Sequence, residues 1–173
     1  TALSRLTNRK DLGTAPIFAD AAAAYALTTT EIREKALRII GTGHELKTSE
    51  ACRNMLCISP EDLDHEEAKL RRKAGTYSMD GRAVFRLAKE AMPEAIEKLA
   101  AFLGIDLDQI LQAIFHQANK LMVESGGERL SSYGIDVPVR MQNGNTSAIT
   151  VPYTMNELIL SLIHISEPTR PLH

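Results

Sequence analysis

Apolar positions between residues 80 and 103 recur every three or four residues, with Val84, Leu87, Ala91, Ile96, Leu99 and Leu103 on one side. That period predicts an amphipathic helix, the strongest in the chain. Pro93 removes a backbone donor inside it and predicts a kink or a break, and Gly104 supplies a left-handed stop. Elsewhere the apolar runs are short. Residues 35–43, with an apolar run at 36–40 closed by Gly41 and Gly43, read as a buried strand, as do residues 110–115. Residues 15–18 and 25–29 frame a run of alanines, and on pattern alone helix and strand stay open there, since Ala favours helix. Residues 45–73 are charged and irregular, with a possible helix start at Pro60-Glu61-Asp62, and read as a surface excursion.

Asp106 followed three residues later by Gln109 has the form of a capping box and predicts a single helical turn. A helix over 118–130 follows. Gly126 and Gly127 each cost it about 1 kcal/mol relative to Ala, so it is expected to be weak or to end early. Residues 137–141 contain Pro138 and read as an edge strand. Residues 150–160 complete the series as a helix. This alternation implies an α/β layer structure, with ligands outside the carboxyl ends of the strands.

Composition narrows the class. The chain has 173 residues, 44% of them hydrophobic, enough for one domain with a real core. Twenty basic against 22 acidic residues, a net charge of -2, argue against a nucleic-acid binder. Two cysteines without disulfide spacing imply a reducing compartment. No signal segment opens the chain, and the longest apolar run, 158–165, is far short of the roughly 20 residues of a membrane span, so a cytoplasmic location is expected, with no membrane partner. His44, Cys52, Cys57 and His65 are zinc-ligand types, but their spacing fits no common zinc pattern, and free thiols and no metal are expected.

Two polar residues stand just past predicted strands: His116 after 110–115, and Asn145 in a Gly-Asn-Thr-Ser turn. Both side chains can donate hydrogen bonds to one oxygen, as an oxyanion hole does. They can equally be a strand-end histidine and a turn residue that bonds its own backbone. A separation of about 30 residues leaves both readings open.

The wording of the motifs adds to this. Met79-Asp80-Gly81-Arg82-Ala83-Val84-Phe85, Phe115-His116-Gln117-Ala118-Asn119 and Gly144-Asn145-Thr146-Ser147-Ala148 resemble the C-terminal half of β-ketoacyl-acyl-carrier-protein synthase III, a thiolase-fold condensing enzyme. Asp11-Leu12-Gly13-Thr14 and the string from Phe18 to Ala24 are similar to two further motifs of that family, in the same order, so the resemblance runs over residues 3–158. It implies half of a thiolase-like α/β fold, a mixed sheet with helices packed on it, and it selects strand for 15–18 and 25–29.

The implied activity is a decarboxylative Claisen condensation of an acyl group from acyl-CoA with malonyl-acyl carrier protein, without a cofactor. By motif position, His116 and Asn145 would stabilise the thioester enolate as two neutral donors. Gly81, Phe85, Ala118 and Asn119 would line the pantetheine tunnel, Met79 a wall of the acyl pocket, and Lys120 would meet the acidic carrier protein. Core packing is the competing reading for Met79 and Phe85. The resemblance also implies a homodimer for the full-length parent.

The chain departs from that pattern in four places. Alanines stand at 19, 21 and 23 where the family has glycines, and Leu121 where it usually has arginine. Neither Cys52 nor Cys57 lies in the family's nucleophile context, so the acyl-accepting cysteine is expected upstream and the chain alone is expected to be inactive. Residues 160–173 do not continue the pattern; they resemble translated sequencing-adapter read-through, which sets the expected domain at 1–159 and a non-native tail after it. Two other functions stay in view: a non-catalytic acyl-carrier or CoA-binding module, and a specialised synthase III relative with another substrate.

Overall fold

Asp80 starts the long helix. Its carboxylate accepts hydrogen bonds from the backbone N–H groups of Arg82 (3.1 Å) and Ala83 (3.0 Å), satisfying two donors that a helix start leaves without partners. In the computed structural model, which describes residues 1–29, 37–47, 55–59 and 76–166, this helix, α1, spans Gly81–Leu103. It ends as predicted at Gly104, with φ 66°, and the N–H groups of Gly104 and Ile105 close back onto Ala101 and Ala100. Pro93 is buried inside α1 and the helix runs on through it, so the alternative of a break is excluded. One missing donor is offset because Met92 and Ile96, on either side, both pack on the core.

A short 3-10 turn, Leu107–Gln109, forms where predicted, but Asp106 makes no side-chain cap there; the turn closes through Gln109 N–H to the Asp106 carbonyl. Helix α2, Lys120–Ser131, is capped by Asn119 and does not end early. Its two glycines are buried contact points. A Cβ on Gly126 would lie 3.1 Å from Met92 Cε and 3.2 Å from Phe115 Cε2, and one on Gly127 would lie 3.0 Å from Val137 Cβ. What the glycines lose in helix propensity they return as close approach. The core forms around this contact, from Ala113, Phe115, Val123, Leu130 and Ile135, with Met92, Ile96 and Val137 against it. Helix α3, Thr150–Ser166, follows a 3-10 turn at Ser147–Ile149 and extends six residues past the predicted 160.

The sheet is smaller than the mixed sheet expected. Among the described residues one ladder forms, β1 (Leu56–Ser59) antiparallel to β2 (Thr76–Met79), with Leu56 opposite Met79 and Ser59 opposite Thr76. β1 lies inside the stretch read as a surface excursion, which corrects that reading; Pro60-Glu61-Asp62 lies outside the described residues. The expected strands at 15–18 and 25–29 are not strands: residues 12–17 are turns, and isolated bridges join Phe18 to Asn145 and Asp20 to Ala2. Residues 110–115 and 137–141 are likewise not ladder strands, and one parallel bridge ties Gln112 of the first segment to Asp136, just before the second.

The described part of the expected 35–43 strand also lacks a ladder. It is held to α1 instead. Gly41 and Gly43 lie against Leu103 and Leu99, Lys98 bridges Glu45 (2.8 Å) and Glu94 (2.7 Å), and Lys47 pairs with Glu94. With no strand paired to it among the described residues, its apolar side stays open: Leu37, Ile39 and Ile40 are 62–66% exposed.

Candidate functional site

Residues 113–117 alternate inward and outward as an extended chain must. Ala113, Phe115 and Gln117 are buried, and His116 faces the other way, open to solvent as a residue while its ring is partly covered on the Thr150 side. Gln117, only 1% exposed, is the fastening. Its Nε2 donates to the carbonyls of Phe115 (2.9 Å) and Pro138 (3.2 Å), and its Oε1 accepts from the Arg140 N–H (2.7 Å). The extended segments 115–117 and 138–140 are thereby locked side by side, the more firmly because a buried amide left unpaired would cost about 1–3 kcal/mol.

His116 Nδ1 lies 2.6 Å from Thr150 Oγ1, at the start of α3. The same hydroxyl accepts the Gln117 backbone N–H (3.2 Å) and donates to the Ser147 carbonyl (3.0 Å). Ser147 in turn donates its N–H to Asn145 Oδ1 (2.9 Å). The two residues singled out from the sequence are therefore joined through Thr150 and Ser147 into one hydrogen-bonded cluster.

Ser147 holds φ 57°, among the described residues the one non-glycine in the left-handed region. Such backbone costs of the order of 1–3 kcal/mol. Here it turns the Ser147 N–H toward Asn145 and its carbonyl toward Thr150. Gly144, φ 64°, makes the preceding turn, and a side chain there would meet the Ile17 carbonyl at 3.4 Å.

Asn145 is buried and bridged to the N-terminal segment, its N–H donating to Ile17 (3.1 Å) and its carbonyl accepting from Ala19 (2.9 Å). Because Oδ1 takes the Ser147 N–H, the amide orientation is fixed and Nδ2 is the free donor. It keeps access to solvent, since among the described residues no fully buried side-chain nitrogen or oxygen lacks a partner. No partner is recorded for His116 Nε2 among the described residues either. Partial burial of the imidazole pulls its pKa below the ordinary histidine range.

The other predicted residues fall into two groups. Met79 ends β2, Gly81 opens α1 and Phe85 is one turn on; Met79 Cε lies 3.8 Å from where a Gly81 Cβ would be. Ala118 sits in the sharp turn after His116, its N–H bonded to the His116 carbonyl (3.0 Å). Asn119 caps α2, its Oδ1 accepting from Leu121 N (2.9 Å) and Met122 N (3.4 Å), and exposed Lys120 lies 3.7 Å from Glu124. Of the zinc-ligand types, Cys52 and His65 lie outside the described residues, and Cys57 is in the middle of β1. An open cleft of about 300 Å³ between α2 and residues 135–139 contains none of these residues.

Thr150, Ser147 and Gln117 were missed as site residues. Gln117 had a signal: a polar residue on the inward parity of an apolar run. No helix among the described residues is long and apolar enough to cross a membrane.

These elements define an α/β, thiolase-like fold, and solved structures agree. A 3-oxoacyl-(acyl carrier protein) synthase III from Pseudomonas aeruginosa PAO1 superposes on 67% of the chain and 36% of its own length, with TM-score 0.54 and 20% identity. Another 3-oxoacyl-(acyl-carrier-protein) synthase III covers 92% of this chain and 50% of its own, with TM-score 0.56 and 20% identity. No family model matches.

Sequence comparison is more specific. The β-ketoacyl-[acyl-carrier-protein] synthase III of Gloeobacter violaceus is 34% identical over 167 residues, 91% of this chain and 48% of that protein, and the Desulfotalea psychrophila protein of the same name is 31% identical over 159 residues. Along nine tenths of its length the chain is a homologue of β-ketoacyl-acyl-carrier-protein synthase III. It spans about half the length of the curated relatives it matches.

Proposed function

We propose that the chain supplies the enolate-stabilising part of a condensing enzyme that joins an acyl group to malonyl-acyl carrier protein in fatty-acid synthesis. In the proposed step the malonyl thioester loses carbon dioxide, and the electron pair of the broken C–C bond passes through the α-carbon onto the thioester oxygen. His116 and Asn145 face that oxygen. The enolate carbon then attacks the acyl thioester and expels its thiolate. The observation that carries this reading is the closed cluster His116–Thr150–Ser147–Asn145, which orients two side chains and leaves one nitrogen of each unbonded.

Supporting contacts are assigned by motif position: Met79, Gly81, Phe85, Ala118 and Asn119 to the pantetheine arm and acyl chain, and Lys120 to the carrier protein. An acidic carrier also has a second cationic surface to meet. Arg82, Arg86 and Lys89 lie at i, i+4 and i+7 on α1, exposed and without recorded ion pairs among the described residues. Cys57 lies within a strand, not at the helix N-terminus that would activate a thiolate, so the isolated chain is proposed not to condense.

The test is malonyl-thioester decarboxylation by the full-length enzyme carrying this chain. Removing one oxyanion donor, as in Asn145→Ala or His116→Ala, is expected to lower the rate about 10²–10³-fold. Unchanged rates in both variants refute the assignment.

A further inference from the structure

The Thr150 hydroxyl has three neighbours and one proton. Its contact with the Gln117 backbone N–H takes one lone pair, because that group can only donate. Its contact with the Ser147 carbonyl takes the proton, because a carbonyl can only accept. One lone pair is left, and it faces His116 Nδ1 at 2.6 Å. All three contacts are hydrogen bonds only if Nδ1 carries a proton. If Thr150 instead donates to Nδ1, the Ser147 carbonyl faces an oxygen lone pair at 3.0 Å and loses its side-chain partner.

We propose that Thr150 is a positioning residue that fixes the proton of the neutral His116 ring on Nδ1 and so leaves Nε2 a proton acceptor. This rests on the reading of His116 as part of the oxyanion-facing pair, and it changes how the pair works. Two neutral donors were expected from the motifs. With this hydrogen-bond order, Asn145 Nδ2 donates whatever the protonation state, whereas His116 donates from Nε2 only as the imidazolium, when both ring nitrogens carry protons. A charged donor forms the stronger hydrogen bond to an oxyanion, so Asn145 gives a constant contribution and His116 a larger one conditional on a proton. Ser147 is what makes the order rigid. Its left-handed backbone directs the carbonyl at Thr150 and the N–H at Asn145, so both side chains take their orientation from one strained peptide segment.

The test reads the tautomer directly on the chain, without substrate. In the chain carrying ¹⁵N-labelled histidine, the His116 ring is assigned by its disappearance in His116→Gln, and long-range nitrogen–proton correlations at a pH where the ring is neutral report which nitrogen is protonated. The Nδ1–H form is expected in roughly two- to twelvefold excess, as the net value of one hydrogen bond sets. Thr150→Val is expected to shift the ring to the Nε2–H form, and Thr150→Ser to restore the native signature. A native spectrum dominated by Nε2–H overturns the proposal, and it decides the matter even where Thr150→Val fails to fold. A Thr150→Val chain that folds and keeps the Nδ1–H form overturns it too. Neither result bears on whether His116 and Asn145 support decarboxylation, which the rate assay above reads separately.

Discussion

Gly127→Ala sets two effects of known size against each other. In an exposed helix the substitution stabilises by about 1 kcal/mol, because glycine is the poorer helix former. In α2 the added methyl would meet Val137 Cβ at 3.0 Å, with both Val137 methyls at 3.3–3.4 Å. A Cβ does not move with a rotamer change, so relief requires the backbone of residues 136–138 to shift. That backbone is held by the Gln112–Asp136 bridge and by Gln117 Nε2 on the Pro138 carbonyl. Overpacking against a fixed neighbour costs about 1–3 kcal/mol, which leaves Gly127→Ala neutral to destabilising, by about 0–2 kcal/mol, once propensity is credited. Gly126→Ala meets the flexible end of Met92 and the edge of the Phe115 ring, so its cost and gain nearly cancel, to within about 0.5 kcal/mol. Urea unfolding followed by far-ultraviolet circular dichroism gives both values. Val137→Ala in the Gly127→Ala background removes the methyl contacts at 3.3–3.4 Å and keeps the Cβ contact at 3.0 Å, so it should recover only the smaller part of the loss, as a coupling of about 0.5 kcal/mol between touching sites. A Gly127→Ala chain more stable than the native one by about 1 kcal/mol would refute the contact.

Asn119 is assigned to the pantetheine arm by motif and caps α2 by geometry, and two variants separate the roles. Asn119→Ala should lose about 1 kcal/mol of stability, whereas Asn119→Ser should keep the cap and still weaken binding of a CoA thioester to the full-length enzyme; equal binding by native and Ser forms leaves only the cap. Glu94 offers a pH test. Hydrogen bonds from Lys47 and then Lys98 lower its carboxyl to about 2 from an ordinary 4.5. A carboxylate depressed on folding adds stability above its unfolded pKa and loses it as pH falls toward the folded one, so the contribution should fade between 4.5 and about 2. Glu94→Gln should flatten the fall in unfolding midpoint across that window, and an unaltered slope would show that the clamp does not form in solution.

What the sequence made legible was local. Asp80 and Gly104 bracket α1 because a helix's ends are satisfied by residues within a few positions of them. Gly126 and Gly127 were misread because propensity is local while the atoms that need the space, Met92, Phe115 and Val137, come from elsewhere along the chain. Strands failed for the same reason: 15–18 and 110–115 have strand-like composition, but a ladder requires a neighbour, and among the described residues these segments find single bridges. Conversely β1 forms in polar surroundings because β2 is there to pair with it. At the site, His116 and Asn145 were legible as words in motifs. Thr150 meets His116 across 34 positions, and a left-handed serine carries no sequence mark.

The site is held from two sides of the chain. His116 is placed by Phe115, which belongs to the core around Val123 and Leu130, and by buried Gln117, which is bonded to the carbonyls of Phe115 and Pro138. Asn145 is placed by the bridge to Phe18, whose ring lies 5.0 Å from that of Tyr77 of β2 at a tilt of 37°, and Tyr77 N–H is bonded to the Leu6 carbonyl at 2.7 Å. Residues 37–47 are tied to α1 through surface ion pairs, Lys47 with Glu94 and Lys98 with Glu45, worth about 0–1 kcal/mol each. The cluster that joins His116 to Asn145 is therefore tied on one side to the buried core and on the other to the Phe18–Tyr77 contact. Changes along 37–47 are expected to alter association through its open apolar side while leaving the His116 tautomer where Thr150 and Ser147 put it.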